Sequence, residues 1–184
     1  VRVIAGELKG KKLVSPRGRG IRPTSERTRE AVFNILGDRV RGTAVLELFA
    51  GTGAFSIEAL SRGAASALMI ERSHEALDLI ARNLAACRLA GRARVIRWDI
   101  TQGLDCLRSL PDRFDLAFLD PPYRQGALGP TLQHLITCGC LADGARVVIE
   151  HDPQATLPDE SSPLRLTDHR KYGKALVSFF TYVL

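Results

Sequence analysis

Apolar residues in this chain gather in short blocks separated by amphipathic stretches. The runs 44–49, 66–71, 93–98, 114–119 and 144–150 are each about six residues long and strongly apolar, which predicts buried parallel strands. The stretches between them, 54–62, 74–89, 101–109 and 127–138, read as helices. This alternation implies an α/β domain, a mainly parallel sheet with helices on both faces. The last part differs: 164–170 and 175–183 read as two strands around Tyr172-Gly173-Lys174, an antiparallel pair that completes a seven-stranded sheet. Near the front, 24–36 predicts a helix with an apolar stripe at Ala31, Val32, Ile35 and Leu36. Thr24 or Ser25 can cap it, Glu26 suits its first turn, and Gly37 can end it. Ahead of that helix, 1–5 and 11–14 alternate about a Gly6-to-Gly10 turn, which predicts a β-hairpin placed before the core. The expected organisation is a hairpin arm over 1–22 and a single domain over 23–184.

Charge adds to this picture. The chain of 184 residues carries 26 basic and 20 acidic side chains, a net charge of +6. The first thirty residues hold nine of the bases and three of the acids, so the entire excess lies there. Polyanion binding explains such a concentration, because phosphate contacts supply much of nucleic-acid affinity. Arg2, Lys9, Lys11, Lys12, Arg17, Arg19 and Arg22 are the candidate contacts, with Arg124 beside the core. No apolar run reaches the ~18 residues of a membrane span, and Val1-Arg2-Val3-Ile4 lacks a signal-peptide layout. Cys87, Cys106, Cys138 and Cys140 show no zinc spacing and suit reduced thiols in a cytoplasmic protein. The four histidines show no metal spacing either, and His151 reads as a surface or strand-end residue. No metal is expected.

The chemistry concentrates at two turns. Asp120-Pro121-Pro122-Tyr123 follows the run 114–119 and so stands at the carboxyl end of a strand, where open α/β sheets bind ligands. The prolines remove two N–H donors and hold the chain extended, leaving the Asp120 carboxylate and the Pro121 carbonyl as acceptors beside the Tyr123 ring. Acceptors next to a flat ring suit a nucleobase with an exocyclic amine. Upstream, Ala50-Gly51-Thr52-Gly53-Ala54 turns the chain from a strand into a helix. Gly51 and Gly53 permit a tight turn and close approach of a ligand, and the helix start offers free N–H groups to it. Glu71, at the end of the next strand, stands where an acid accepts from ribose hydroxyls. These features imply a nucleoside cofactor. A dinucleotide is disfavoured, because Ser56 follows bulky Phe55 where a small third residue is wanted and Glu47 lies inside the first strand.

Glu47-x-Phe49-x-Gly51-x-Gly53 resembles motif I of class I S-adenosylmethionine methyltransferases, and Asp120-Pro121-Pro122-Tyr123 resembles their motif IV for amino-nitrogen targets. The N-terminal pieces Arg2-Val3-Ile4-Ala5-Gly6, Lys9-Gly10-Lys11-Lys12-Leu13, Arg22-Pro23-Thr24, Arg27-Thr28-Arg29-Glu30 and Phe33-Asn34-Ile35-Leu36 are similar to those of the bacterial RsmD family. The resemblance implies the Rossmann-like class I methyltransferase fold and methyl transfer from S-adenosylmethionine to N2 of one guanine in 16S ribosomal RNA, free or within a 30S particle. By matching position, Glu47 and Phe49 lie near the methionine end and Glu71 holds the ribose. Asp99 accepts from the adenine amine, and Ile100 and Arg72 flank the ring. Thr24 and Arg27 lie near the methionine carboxylate. Asp120, Pro121, Pro122 and Tyr123 hold the target base, and the protein acts as a monomer.

Two other functions fit parts of this pattern. Asp-Pro-Pro-Tyr also serves adenine-N6 methyltransferases of DNA or RNA, which the N-terminal signature and the lack of a separate target-recognition domain disfavour. A non-catalytic RNA-binding module is disfavoured by the intact glycine turn and Asp120.

Overall fold

The buried runs assemble into one seven-stranded sheet in the computed structural model, which describes residues 1–16, 25–111, 113–122, 126–159, 161–173 and 175–184. The strands are β1 (Ala44–Leu48), β2 (Ser66–Glu71), β3 (Ala93–Arg97), β4 (Phe114–Leu119), β5 (Leu141–His151), β6 (Leu164–Tyr172) and β7 (Ala175–Tyr182), in spatial order β3-β2-β1-β4-β5-β7-β6. β1 to β5 run parallel, and β7 pairs antiparallel with both β5 and β6. The seven-stranded α/β sheet with its antiparallel C-terminal hairpin is therefore present as expected. β1 and β4 are largely buried on both faces, which is why they read as apolar runs interrupted only by Glu47 and Asp115. Edge strand β6 is mostly exposed and carries Arg165, Arg170 and Lys171, charges that discourage pairing with another chain.

Helices α1 (Glu26–Leu36), α2 (Ala54–Ser61) and α3 (His74–Cys87) cover one face, and α4 (Asp105–Arg108) and α5 (Leu128–Thr137) the other. Ser25 caps α1 by accepting the Thr28 N–H, and Gly37 ends it with φ 55°. Thr24 lies outside the described residues. α2 is buried on every side and forms the centre of its layer. The expected helix over 101–109 is instead a 3-10 turn at Ile100–Gln102 followed by the short α4. Gly103, at φ 110°, breaks the helix between them, and the Trp98 indole donates to its carbonyl at 2.9 Å. His151 ends β5 but is buried rather than on the surface, bonded to Ser178 at 2.8 Å.

The N-terminal segment is built into this architecture rather than appended to it. Its hairpin has a single antiparallel bridge, Arg2 with Lys12, and Val3 and Leu13 join the core. Glu58, at 0% exposure on α2, accepts the N–H groups of Ile4 and Ala5 at 2.7 and 3.0 Å. The same carboxylate binds Arg62 at 2.7 Å and faces buried Arg29 at 3.8 Å. Gly6 is required where it stands: a β-carbon there would lie 1.9 Å from the Ser61 carbonyl oxygen. Further along, Asn83 on α3 bonds both the N–H and the carbonyl of Val14 and also reaches the Thr52 carbonyl. Residues 1–14 thus lie along α2 and tie it to α1 and α3. Arg17, Arg19 and Arg22 lie outside the described residues.

Candidate functional site

Strand order determines where a ligand can enter. From β1 the sheet grows one way through β2 and β3 and the other way through β4 and β5, so a crevice opens beyond the carboxyl ends of β1 and β4. A cavity of about 1280 Å³ occupies it. Phe55 and Phe118 line it with rings stacked at 4.7 Å, and Phe33 backs Phe118 at 5.5 Å. The space exceeds the ~300–1,000 Å³ of a pocket for one small ligand, which leaves room for a nucleoside cofactor and a second flat group.

The β1–α2 turn forms one wall. Phe49, Gly51 and Gly53 have φ of 59°, 56° and 71°. Glycine adopts this region freely; phenylalanine is strained there, and Phe49 lines the cavity. The Gly51 N–H donates to Glu71 at 3.0 Å. Gly53 has a packing role: a β-carbon would meet Met69 Sδ at 2.9 Å, so its absence lets α2 close on β2.

Glu47 is 4% exposed and accepts the N–H of Ser56 at 2.9 Å, and that of Phe55 as well. Burial pushes its carboxyl up from 4.5 to about 7, against the pull of those hydrogen bonds and of the Arg29 charge. The expectation that the start of α2 presents free N–H groups to a ligand is thereby corrected, because an internal carboxylate holds two of them. Glu47 lines the cavity nonetheless.

Glu71 ends β2 with both carboxylate oxygens engaged. Oε1 accepts the N–H groups of Arg72 and Ser73 at 2.8 Å each, and Oε2 accepts that of Gly51. A carboxylate offers about four lone-pair sites and three are taken, so this orientation leaves acceptor capacity on Oε2 for a ribose hydroxyl. Asp99 follows β3 and accepts the Thr101 hydroxyl and N–H at 2.7 and 3.1 Å; these hydrogen bonds hold its carboxyl below its usual range. Arg72 reaches Asp99 at 3.4 Å, and buried Ile100 lies next to it in the wall. Arg27 closes the cavity from the first turn of α1.

On the β4 side, Asp120, Pro121 and Pro122 line the same space. The structure thus gathers Arg27, Glu47, Phe49, Gly51, Glu71, Arg72, Asp99, Ile100 and the start of the proline motif around one cavity, with Gly53 just behind. Tyr123 and Arg124 lie outside the described residues. Of the basic segment, Lys9, Lys11 and Lys12 are exposed, and Arg2 pairs with Glu26 at 3.0 Å. Trp98 and Glu150 also line the cavity and were not foreseen. The signal for Glu150 is the spacing Val148-x-Glu150, which repeats Phe118-x-Asp120 on the neighbouring strand.

The described lining holds five carboxylates (Glu47, Glu71, Asp99, Asp120, Glu150) and three basic side chains (Arg27, Arg72, Lys171). An acid excess with paired ribose-type acceptors and apolar shelves fits a cationic nucleoside such as S-adenosylmethionine. Among the described residues, no cluster of three or more His, Cys, Asp or Glu is placed to hold a metal ion, and no helix is long and apolar enough to cross a membrane.

Known proteins bear on this cavity. The family model described as conserved hypothetical protein 95 matches residues 1–181. Ribosomal RNA small subunit methyltransferase D of Escherichia coli K12 is 35% identical over 182 residues, covering 99% of this chain and 89% of that protein. The solved Escherichia coli protein yhhF superposes with a TM-score of 0.85 at 33% identity, covering 100% of this chain and 98% of that one. An RNA methyltransferase from Salinibacter ruber, solved with S-adenosyl-L-homocysteine, shares the fold at a TM-score of 0.66 and 16% identity, covering 88% and 94%. With the family model matching residues 1–181 and a relative of this identity over 99% of the chain, the protein belongs to the RsmD family, that of ribosomal RNA small subunit methyltransferase D.

Proposed function

We propose that this protein transfers a methyl group from S-adenosylmethionine to the exocyclic N2 amine of one guanine in 16S ribosomal RNA, acting as a monomer in the cytoplasm on an assembling or assembled 30S particle. The observation that carries this reading is the single cavity shared by Glu71 and Asp99 on one side and by Asp120 on the other. The name of the Escherichia coli relative supports the class of RNA.

Glu71 holds the ribose hydroxyls, and Asp99, with Arg72 and Ile100 about it, receives the adenine. Glu47, Gly51, Arg27 and Thr24 border the methionine end. S-adenosylmethionine supplies an electrophilic methyl group on a sulfonium that departs as a neutral thioether. The guanine amine is a poor nucleophile because its lone pair is delocalised into the ring. Asp120 and the Pro121 carbonyl accept its N–H bonds, which turns the lone pair toward the methyl group, a positioning effect that supplies a large share of the rate. Pro122 keeps the turn extended, and Tyr123 stacks on the base. Asp120 also stands ready to take the departing proton. A paired guanine is out of reach of such a pocket, so the base enters unstacked.

A tritium-transfer assay on naked 16S RNA, 30S particles and DNA, followed by digestion to nucleosides, tests this. Label in N2-methylguanosine from 16S RNA or 30S particles is expected. Label in N6-methyladenosine supports the adenine alternative, and no label with any substrate supports a binding module.

A further inference from the structure

Among the described residues, Glu150 is the one acid of the cavity wall to which the reaction above gives no task. β4 and β5 are parallel neighbours with Leu119 opposite Ile149, so Asp120 and Glu150, one residue further on, are adjacent across the two strands. Alternation places both on the face of Phe118 and Val148, and both line the cavity. β7 continues that wall with Val177, the antiparallel partner of Glu150. The target amine held at Asp120 therefore presents its neighbouring ring position toward the β5 side or toward the cofactor side. On the β5 side Glu150 is an acid of the cavity wall.

We propose that Glu150 accepts the N1–H of the target guanine and so selects guanine over bases whose ring nitrogen beside the amine is unprotonated. This rests on the reading of the site as a guanine-N2 methyltransferase. Guanine carries donors on two adjacent positions, N1–H and the N2 amine. Two acceptors on adjacent strands match that pair. Adenine and cytosine present a lone pair beside their amine, which would face the Glu150 carboxylate without a hydrogen. A site that hydrogen-bonds a substrate N–H rejects analogues lacking it far more strongly than shape alone can, and the acceptor–acceptor contact adds repulsion. A carboxylate has lone pairs for more than one donor, so contacts of Glu150 within the protein are compatible with this role.

2-Aminopurine tests the assignment, because it keeps the amine of guanine but lacks the N1 hydrogen. The substrate is 16S RNA carrying guanine or 2-aminopurine at the position the wild-type enzyme modifies, free or assembled into 30S particles. For wild type, kcat/KM is expected to favour guanine by at least about 100-fold. For Glu150→Gln, whose amide can donate to an unprotonated N1, activity on guanine falls and the preference collapses to less than about 10-fold. S-adenosylmethionine affinity, measured by calorimetry, stays within about 3-fold of wild type, as expected for a folded protein whose cofactor side is intact. Equal use of the two bases by wild type overturns the proposal, as does a Glu150→Gln variant that loses activity on both alike with its preference kept. Wild type that forms no N2-methylguanosine at all fails differently: it removes the guanine reading itself, and Glu150 loses its role with it.

Discussion

Two buried glutamates serve α2 from opposite surroundings, Glu58 within the helix and Glu47 on β1 against its N-terminus. At the C-terminal end, Glu58 meets Arg29 and Arg62 and accepts two backbone N–H groups from the N-terminal hairpin. At the N-terminal end, Glu47 accepts N–H groups of α2 itself, lines the cavity, and is pushed up to about 7 by burial. Both are almost fully enclosed. The difference is cationic company. A buried acid matched by two guanidiniums is a structural joint, whereas an acid left near neutrality at the rim of a cavity is poised to receive a cation. The eight residues of α2, Glu58 among them, are all buried, so one helix stands between a structural joint and the proposed binding site.

The largest expected effect lies at the structural end. Glu58→Ala leaves the Arg29 and Arg62 charges uncompensated and orphans the Ile4 and Ala5 N–H groups, so stability should fall by about 3–5 kcal/mol. Urea denaturation measures it, and the fraction that remains folded should still bind cofactor. A loss below about 1 kcal/mol would place Glu58 among surface ion pairs in worth.

On the binding side, Glu71→Ala should weaken S-adenosylmethionine by about 1–3 kcal/mol, the loss of hydrogen bonds to a charged acceptor. Calorimetry gives the value; an unchanged Kd removes Glu71 from the ribose site.

Glu47→Gln is a smaller, pH-dependent change. The folded carboxyl titrates near 7 against an ordinary 4.5, so its contribution to stability is fully present below pH 4.5 and is lost as pH rises through about 7. Glutamine keeps an acceptor for the Ser56 N–H and does not titrate. The difference in unfolding free energy, wild type minus variant, should therefore decline from pH 5 to pH 8. A flat difference would mean Glu47 titrates normally.

The smallest effect on the fold is expected in the basic N-terminal segment. Replacing Lys9, Lys11, Lys12, Arg17 and Arg19 by Ala should leave cofactor affinity intact while weakening RNA binding. Each lost phosphate contact lowers the salt slope by about 0.7–0.9. Wild-type binding to 30S particles at physiological salt would move RNA docking to the surface around Lys171.

The centre of the sheet was legible because β1 and β4 are largely buried on both faces and leave mostly apolar runs, as at 114–119 with Asp115 the one polar position. The acids at strand ends were legible for the same reason, since the run shows where a strand stops. Contacts between distant segments left no periodic trace. Asn83 clasps Val14 across 69 residues of sequence, and Glu58 reaches Ile4 across 54. The hairpin therefore read as an appended arm. Glu150 was hidden because neither the order of strands nor the register of β5 against β4 can be read from local pattern. Gly53 reads in the sequence as a ligand-facing glycine, but a side chain there would meet Met69, a contact that no local pattern shows.

The central claim is that Asp120 acts on the target amine while the opposite wall holds the cofactor. Single-turnover methyl transfer to 30S particles by Asp120→Ala, paired with calorimetry of S-adenosylmethionine on the same protein, tests it most directly. The rate should fall by at least about 100-fold, with cofactor affinity nearly unchanged. A parallel loss of cofactor binding, or a rate close to wild type, would contradict the account.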